Sequence, residues 1–289
     1  MSRPKKPEIA LIYDFDGTLA PGNMQERAFI PSLGMQNADF WGKAKALAKE
    51  NDGDEILMYM ELMLEEAKSK GLQTTRKAIR KYGKDIELFD GVQTWFDRIN
   101  RFADTRNLAA RHYIISSGNR EIIEGTSIAK KFERIYASTF RYDANEAAEA
   151  PALAINYTTK TQYLFRINKG ALDLHDHDAM HEYTPRATRK VPFDRMIFMG
   201  DGDSDVPCMR LVRQQGGFSV AVYKPNSSKA KVKADKLIEQ RRVHFVAPAD
   251  YRQGSRLDLA VQRRIELIAA VEEFRRTIDW YGQQDGEGE

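Results

Sequence analysis

The fold of this chain is decided by residues 9–19, IALIYDFDGTL, an apolar run that ends in two carboxylates and a glycine. The apolar run predicts a buried β-strand. Asp14 and Asp16 are two positions apart, so on an extended chain their side chains point the same way. Gly17 allows a sharp turn behind them. Two carboxylates held this close repel each other unless a shared proton or a divalent cation intervenes. The pattern therefore indicates chemistry at a strand end.

A second acidic cluster follows another apolar run, in residues 196–205, MIFMGDGDSD. Asp201 and Asp205 are its candidate metal ligands. Carboxylates from two strand ends can meet around one hard cation, and Mg2+ prefers such oxygen ligands. The two acidic patterns together predict a magnesium site.

With these patterns the chain resembles the haloacid dehalogenase superfamily, whose first motif, Asp-x-Asp-x-Thr, is matched by residues 14–18, DFDGT. The second motif is an apolar strand ending in Ser or Thr, and residues 113–118, YIISSG, fit it. The third is a lysine near a helix start, which Lys160 matches best. The fourth is residues 200–205, GDGDSD. Single short motifs arise by chance, but these four stand in the family's order.

The resemblance implies a role for each acidic residue. Asp14 would be the nucleophile that takes the phosphoryl group as an aspartyl-phosphate, and Asp16 would protonate the leaving group and then activate water. Mg2+ would be bound by the Asp14 carboxylate, the Asp16 backbone carbonyl and Asp201, with support from Asp205. Such roles suit the residue types, because a carboxylate can act as a covalent nucleophile and phosphoryl transfer depends on cations and aimed donors.

The candidate phosphate-binding residues are Thr18, Ser116, Ser117 and Lys160. The resemblance implies that Ser116 would hydrogen-bond the phosphoryl oxygens and that Lys160 would offset negative charge. A second lysine, Lys169, is the alternative for the third motif, although it could instead end the helix, where a cation suits the helix dipole. Lys160 is preferred because a helix start faces the strand ends where the other motifs gather.

The pattern along the chain predicts an α/β fold, a Rossmann-like, mainly parallel sheet flanked by helices. Its strand-like runs are residues 9–13, 112–115, 196–199, 218–223 and 243–247. The core would comprise residues 1–20 and 89–281. Since motifs at the carboxyl ends of parallel strands converge, one crevice would hold all four.

Residues 21–88 lack the strand-like apolar runs that recur in the rest of the chain. Their pattern predicts a small all-helical cap domain inserted after the first strand, with helices at 37–50, 54–70 and 74–82. This resembles the family's first type of cap, a lid over the active site. Asn23, Gln25 and Arg27 are candidate substrate contacts, or else ordinary hinge residues. No comparable insertion separates the second and third motifs, so a second large cap is not expected.

The composition, with 42% hydrophobic and 30% charged residues, is typical of a soluble globular protein. No apolar run approaches the ~20 residues that cross a bilayer, and the N-terminus has no segment long enough for a signal peptide. The single cysteine, Cys208, excludes an intrachain disulfide and suits a cytoplasmic setting. We expect it to be a buried small residue rather than a reactive thiol.

Four further segments carry weaker signals. The basic segment 224–242 lacks interleaved aromatic residues, so a solvated helix face is preferred over a nucleic-acid site. His177 and His181 are four apart, as zinc ligands on a helix often are, but they lie in a polar connection and a solvated loop is preferred. Residues 257–278 predict a long helix that begins at Ser255 and packs on the sheet or on a partner subunit. Residues 282–289 predict a disordered tail.

The sequence therefore predicts a Mg2+-dependent phosphatase that hydrolyses a small phosphomonoester, with a small phosphorylated metabolite as its partner and no membrane partner. A phosphomutase or another phosphotransferase on the same core is the alternative, because it shares the aspartyl-phosphate. A nucleic-acid end phosphatase or binding protein using the basic segment 224–242 is a weaker one. Dehalogenation needs neither Asp16 as acid nor a metal-binding cluster, which counts against it. The sequence names neither the substrate nor the oligomeric state.

Overall fold

A computed structural model of the chain describes residues 5–285. Its centre is a seven-stranded sheet in the order β4-β3-β2-β1-β5-β6-β7. All neighbouring strands are parallel except β3 and β4, which are antiparallel. The strands are β1 Glu8–Tyr13, β2 Ala109–Asn119, β3 Arg134–Tyr142, β4 Ala148–Leu153, β5 Met196–Gly200, β6 Phe218–Tyr223 and β7 Phe245–Pro248. The predicted Rossmann-like, mainly parallel sheet is confirmed.

Strand β1 is the central strand, and its continuous apolar sequence follows from burial on both faces. Ile9, Leu11 and Tyr13 pack into one hydrophobic layer, while Ala10 and Ile12 pack into the layer on the opposite face. The strand pairs with β2 on one side and with β5 on the other. Its carboxyl end therefore lies between the ends of the two strands that carry the second and fourth motifs.

Helices cover both faces of the sheet. The helices are α1 Phe29–Ser32, α2 Asn37–Glu50, α3 Glu55–Ser69, α4 Arg76–Lys81, α5 Val92–Asp104, α6 Arg120–Glu124, α7 Lys160–Lys169, α8 Asp178–His181, α9 Val206–Gln214, α10 Ser228–Glu239 and α11 Arg256–Asp285. Apolar residues of α5, α6 and α11 pack on one face, and those of α7, α9 and α10 pack on the other. Short 3-10 turns lie at Met24–Glu26, Ala129–Lys131, Arg186–Thr188, Phe193–Arg195 and Asp203–Asp205.

The four helices α1 to α4 lie between β1 and β2, where the sequence predicts an insertion. Helix α3 begins at Asp54, whose side chain accepts hydrogen bonds from the amides of Ile56 and Leu57 and so caps the helix. Met60 and Met63 on this helix are buried in the core. The apolar side chains of the helix predicted at 54–70 therefore pack in the core.

The strand pair β3 and β4 was not among the sequence-predicted strands. Strand β3, RIYASTFRY, mixes small polar residues with its apolar ones, and β4 contains Pro151, which suits an edge strand that lacks a partner on one side. The hairpin also contacts the insertion, because the Ala148 amide donates to the Thr74 carbonyl. The hairpin extends one side of the sheet, with β4 as the edge strand, and does not form a second cap.

The last helix, α11, runs to Asp285, so residues 282–285 continue the helix where the sequence predicts the start of a tail. Residues 286–289 of that predicted tail lie outside the described residues. Ser255 Oγ accepts a hydrogen bond from the Asp258 amide, which fits the predicted helix start. Among the described residues, no helix has the length and apolar character required to cross a membrane.

Candidate active site

The turn after β1 places the first-motif residues. The Phe15 amide donates to Asp14 Oδ1, and the Phe15 carbonyl accepts from the amides of Thr18, Leu19 and Ala20. Gly17 has a φ of +72°, and a Cβ at this position would lie 2.2 Å from Asp201 Oδ2. A side chain here would therefore be strained and would displace the carboxylate of the fourth motif.

Three carboxylates meet at the carboxyl ends of β1 and β5. Asp14, Asp201 and Asp205 each place one oxygen within 4.8 Å of the others. Asp205 Oδ2 accepts from the Asp201 amide at 3.2 Å, which holds the loop after β5 in place. Adjacent parallel strands thus bring together residues that are almost two hundred positions apart.

Lys160, the first residue of α7, lies beneath this cluster. Its side chain is fully buried, with Nζ 3.2 Å from Asp14 Oδ2 and 2.8 Å from Asp205 Oδ1. Burial alone lowers the pKa of Lys160, but the charges of Asp14 and Asp205 outweigh this and raise it above its ordinary value. Lys160 is therefore a permanent cation between two carboxylates.

Lys169, the alternative lysine, lies at the other end of α7. Its Nζ donates to the carbonyls of Met180 and Glu182, each at 2.6 Å. These contacts tie α7 to the segment that contains α8, away from the acidic cluster. The structure therefore places Lys160, and not Lys169, beside Asp14.

The acidic cluster carries more negative charge than one lysine offsets. Burial and the neighbouring Asp205 and Asp14 raise the pKa of Asp201 to about 8. Burial and Asp14 also raise the pKa of Asp205 to about 7, despite the opposing effect of Lys160. An oxygen-only donor set with this unbalanced charge fits a hard divalent cation such as Mg2+, which would hold the carboxylates in their ionised form.

Asp16 follows Asp14 in the turn after β1 and lines both the metal-binding side of the site and the start of the insertion. Its Oδ1 accepts from the Met24 amide at 2.9 Å, which fixes the carboxyl group at the start of the insertion. Burial, followed by repulsion from Asp14, raises the pKa of Asp16 well above its usual range. A raised pKa is the property that a carboxyl group needs in order to donate a proton to a leaving group.

The end of β2 supplies the second-motif residues. Ser116 is buried beside the sheet, and its Oγ accepts from the Gly118 amide at 3.1 Å. The strand register shifts between Ser116 and Asn119, which opens the chain at Ser117 and Gly118. Both serines line the cavity that also contains Asp14 and Asp201.

Thr18 does not reach this cavity. It is fully buried, its Oγ1 has no hydrogen-bond partner among the described residues, and its carbonyl accepts from Tyr251 Oη at 2.8 Å. The geometry gives Thr18 a place inside the turn after β1 instead of a phosphate contact, because the residue after Gly17 points into the core.

The catalytic cavity, as we name it, has a volume of about 320 Å3. It is lined by Asp14, Asp16, Gly17, Pro21, Gly22, Asn23, Phe89, Ser116, Ser117, Gly118, Asp201, Ser204, Tyr223, Lys224, Ala230 and Lys233. Lys224 and Lys233 belong to the basic segment and are both exposed, Lys224 just after β6 and Lys233 on α10. Lys233 Nζ pairs with Asp203 at 3.0 Å. No motif in the sequence pointed to these two lysines as part of the cavity wall.

A second cavity of about 200 Å3, which we name the cap cavity, lies between the insertion and the core. It is lined by Asp16, Asn23, Gln25, Trp41, Ala44, Lys45, Glu55, Ile56, Tyr59, Ser117 and Gly118. Of the predicted substrate contacts, Asn23 and Gln25 line it. Arg27 does not, since it pairs with Glu87 and donates to the Pro21 carbonyl.

The remaining candidates lie away from both cavities. His177 and His181 are exposed, and among the described residues they belong to no cluster of three metal-binding side chains. Cys208 is fully buried, as predicted, and burial raises the pKa of its thiol well above the usual range. Neither feature resembles a second reactive site.

Comparison with known proteins agrees with this geometry. Residues 11–210 match the family model of haloacid dehalogenase-like hydrolases. The sequence is also similar to an uncharacterized protein of Borreliella burgdorferi, with 28% identity over 286 residues that cover 90% of this chain and 97% of the relative. The matched region contains all four motifs.

Solved structures share the fold. A HAD family hydrolase, t0658, from Salmonella enterica serovar Typhi superimposes with a TM-score of 0.56 and 15% identity, covering 89% of this chain and 71% of that one. A phosphoserine phosphatase solved with an analogue of its phospho-aspartyl intermediate gives a TM-score of 0.52 and 13% identity, covering 83% of this chain and 93% of that one. At these identities the likeness establishes the fold alone.

Proposed function

We propose that this chain, which belongs to the haloacid dehalogenase-like hydrolases, is a Mg2+-dependent phosphatase that hydrolyses a small phosphomonoester through an aspartyl-phosphate on Asp14. The observation that carries the proposal is the contact of Asp14 with a buried lysine, within a cluster of three carboxylates. The positive charge of Lys160 beside Asp14 partly offsets the negative charge of this carboxylate, so it can approach an anionic phosphoryl group as a nucleophile.

In the first step, an Asp14 carboxylate oxygen forms a bond to phosphorus while the bond from phosphorus to the ester oxygen breaks. Asp16 donates its proton to that oxygen, so the alcohol leaves neutral. In the second step, water attacks the phosphorus of the aspartyl-phosphate, Asp16 takes a proton from this water, and inorganic phosphate leaves as the Asp14 carboxylate re-forms. The raised pKa of Asp16 suits both transfers.

The carboxylates of Asp14, Asp201 and Asp205, with the Asp16 carbonyl, would hold Mg2+, which would offset the charge that develops on the phosphoryl oxygens. Lys160 supplies a fixed positive charge from below the nucleophile. Ser116 and Ser117 line the same cavity, where their hydroxyl groups can donate hydrogen bonds to the phosphoryl oxygens. These groups are built into strand and helix ends, so they are in place before a substrate arrives.

The similar phosphoserine phosphatase, whose solved form contains an analogue of a phospho-aspartyl intermediate, supports this chemistry by analogy of fold. A small phosphorylated metabolite also suits a catalytic cavity of about 320 Å3. The cavity leaves room for one phosphoryl group and a compact alcohol, and a folded nucleic-acid strand would not fit.

The proposal is tested by phosphate release from p-nitrophenyl phosphate and from a panel of phosphorylated metabolites, with Mg2+ and with a chelator. Wild-type protein is expected to release phosphate only with the metal, and Asp14→Asn is expected to release none. Asp203→Asn is the matched control, because Asp203 belongs to the same acidic motif as Asp201 but is exposed and pairs with Lys233. Full activity in chelator, or in Asp14→Asn, would contradict the proposal.

A further inference from the structure

The cap cavity adjoins the catalytic cavity at the position of the proposed proton donor. Asp16, Asn23, Ser117 and Gly118 line both spaces. In the mechanism above, Asp16 faces the bond that breaks, so the phosphoryl group lies on one side of it and the leaving alcohol on the other. The chemistry of the cap cavity therefore determines which alcohol can leave.

The walls of the cap cavity are mainly carbon surface. The rings of Trp41 and Tyr59 meet edge to face, with centroids 5.5 Å apart, and Ile56 and Ala44 complete the apolar wall. The polar atoms of both rings already have partners. Trp41 Nε1 donates to Glu26 Oε1 at 2.8 Å, and Tyr59 Oη donates to the Ser117 carbonyl at 2.8 Å. Both rings consequently offer apolar surface to a ligand.

Apart from Asp16, which also lines the catalytic cavity, the charged residues of the cap cavity are at its rim. Lys45 and Glu55 line it, and both are exposed. They carry opposite charges, so neither an anion nor a cation is favoured by the pair as a whole. A charged leaving group placed against Trp41 and Ile56, away from Asp16, would bury its charge without a charged partner there, which is unfavourable.

The size of the cap cavity limits the ligand further. An apolar cavity of ~150 Å3 is large enough to hold benzene, and the cap cavity measures about 200 Å3. It can hold one six-membered ring with a short linker. A two-ring base with its sugar would be too large.

We propose that the substrate is a phosphomonoester whose alcohol carries one uncharged ring, joined to the ester oxygen by a short linker and bound between Trp41, Ile56 and Tyr59. This inference rests on the proposed phosphatase function. It assigns Trp41 and Tyr59 as specificity-determining residues, and it separates this chain's substrate class from small polar esters such as phosphoserine.

The test compares benzyl phosphate with ethyl phosphate, two esters of primary alcohols with similar leaving-group basicity, so that the ring is the main difference. Choline phosphate and phosphoserine are included as charged esters. Wild-type protein is expected to show at least about tenfold higher kcat/KM for benzyl phosphate than for the other three, since burial of a ring of this size contributes that much binding free energy.

Trp41→Ala is expected to lower the ratio of benzyl to ethyl kcat/KM by about tenfold, and Trp41→Phe is expected to retain most of it. Ile56→Asn is a second probe of the same wall, in case loss of Trp41 prevents folding, and circular dichroism checks each variant. Tyr183→Ala is the control, because Tyr183 is an aromatic residue that is 85% exposed and lines neither cavity. Its ratio should match wild type.

The outcomes separate the two proposals. No phosphate release from any ester, p-nitrophenyl phosphate included, would contradict the phosphatase function itself. Phosphate release without a preference for benzyl phosphate would leave that function intact and overturn the ring-binding inference. A preference for choline phosphate would also overturn it, because it would assign the two aromatic rings to a cation instead.

Discussion

Asp54 and Asn156 join the helical insertion to the helix that carries Lys160, through a hydrogen bond of 2.7 Å from Asn156 Nδ2 to Asp54 Oδ2. The other oxygen of Asp54 caps α3, and Asn156 Oδ1 accepts from the amides of Thr158 and Thr159 just before α7. One hydrogen bond thus links the starts of two helices. It holds the wall of the cap cavity at a fixed position relative to Lys160.

Reversal of this pair tests the link. Asn156→Asp keeps the acceptor for the two amides but places a second carboxylate against Asp54, so we expect faster hydrogen exchange in α3 and a higher KM. The double variant Asp54→Asn with Asn156→Asp restores a donor and an acceptor and is expected to recover both properties. If the single and double variants had the same KM and the same hydrogen exchange in α3, the hydrogen bond between Asp54 and Asn156 would not be coupled to binding.

The two lysines of α7 give a direct comparison. Lys160→Gln removes the charge that lies 3.2 Å from Asp14 Oδ2, and turnover is expected to fall by a hundredfold or more, by analogy with loss of a transition-state donor, ~100- to 1000-fold. Lys169→Gln removes a lysine of the same helix whose Nζ donates to two backbone carbonyls of a neighbouring segment. In steady-state assays, the turnover rate of Lys169→Gln should be within a few-fold of the wild-type rate. A larger loss of turnover in Lys169→Gln than in Lys160→Gln would assign the third motif to Lys169.

His112 makes stability dependent on pH. The Tyr13 hydroxyl accepts a hydrogen bond from Trp95 Nε1 and lies 3.0 Å from His112 Nδ1, and His112 Nε2 lies 3.0 Å from Asn100 Oδ1. A neutral imidazole with its proton on Nε2 satisfies both contacts, accepting from Tyr13 and donating to Asn100. Burial lowers the pKa of His112 to about 3, with a smaller opposing effect from Asp97 and a further lowering by Lys131.

Because the unfolded His112 has a pKa near 6.5, the unfolded state binds the extra proton first as pH falls. Stability should therefore decrease below about pH 6.5, and His112 alone should account for about 1.4 kcal/mol between pH 7.5 and 5.5. Urea melts at both pH values measure this difference. His112→Gln should show a smaller difference, and His181→Gln, on an exposed segment, should retain it. If His112→Gln kept the full difference in unfolding free energy between the two pH values, the pH dependence would have to come from groups other than His112.

The insertion is fixed to the core where α4 crosses α6. A Cβ at Gly83 would lie 2.0 Å from the Ile122 carbonyl oxygen, and one at Gly125 would lie 1.9 Å from the Arg80 carbonyl oxygen. Gly83→Ala and Gly125→Ala must therefore separate two backbones, and each is expected to destabilise the protein by about 1–3 kcal/mol. Gly42→Ala, inside α2 with nothing within 4 Å, should instead stabilise it by about 0.5–1 kcal/mol. If thermal melts gave the same change in stability for all three variants, the close packing of α4 against α6 would be contradicted.

The sequence predicted the parts of the site that depend on strand ends. Asp14 and Asp201 follow apolar runs long enough to be recognised as buried strands, and parallel strands bring their carboxyl ends together. Lys160 was distinguishable from Lys169 because the start of a helix faces that edge. These relationships follow from local periodicity and sheet geometry alone.

Other parts of the site depend on contacts between distant segments and were not predictable. Tyr59 and Trp41 belong to no sequence motif, and only the docked insertion places them in the cap cavity beside Ser117. Lys224 and Lys233 belonged to a basic run without a motif, and the turn after β6 and helix α10 bring them to the catalytic cavity. Thr18 was assigned to phosphate by its position in the first motif, although its side chain points into the core.

The central claim, a covalent phosphoryl group on Asp14, is tested most directly by brief incubation of the protein with a phosphate-labelled ester that it hydrolyses, followed by an acid quench. The account predicts label on the protein that hydroxylamine releases, that maps to the peptide containing Asp14, and that is absent in Asp14→Asn. Asp16→Asn should also slow both steps by ~100- to 10,000-fold. Turnover of the ester by wild-type protein with no label on the protein at any quench time, or label on a residue other than Asp14, would contradict the account.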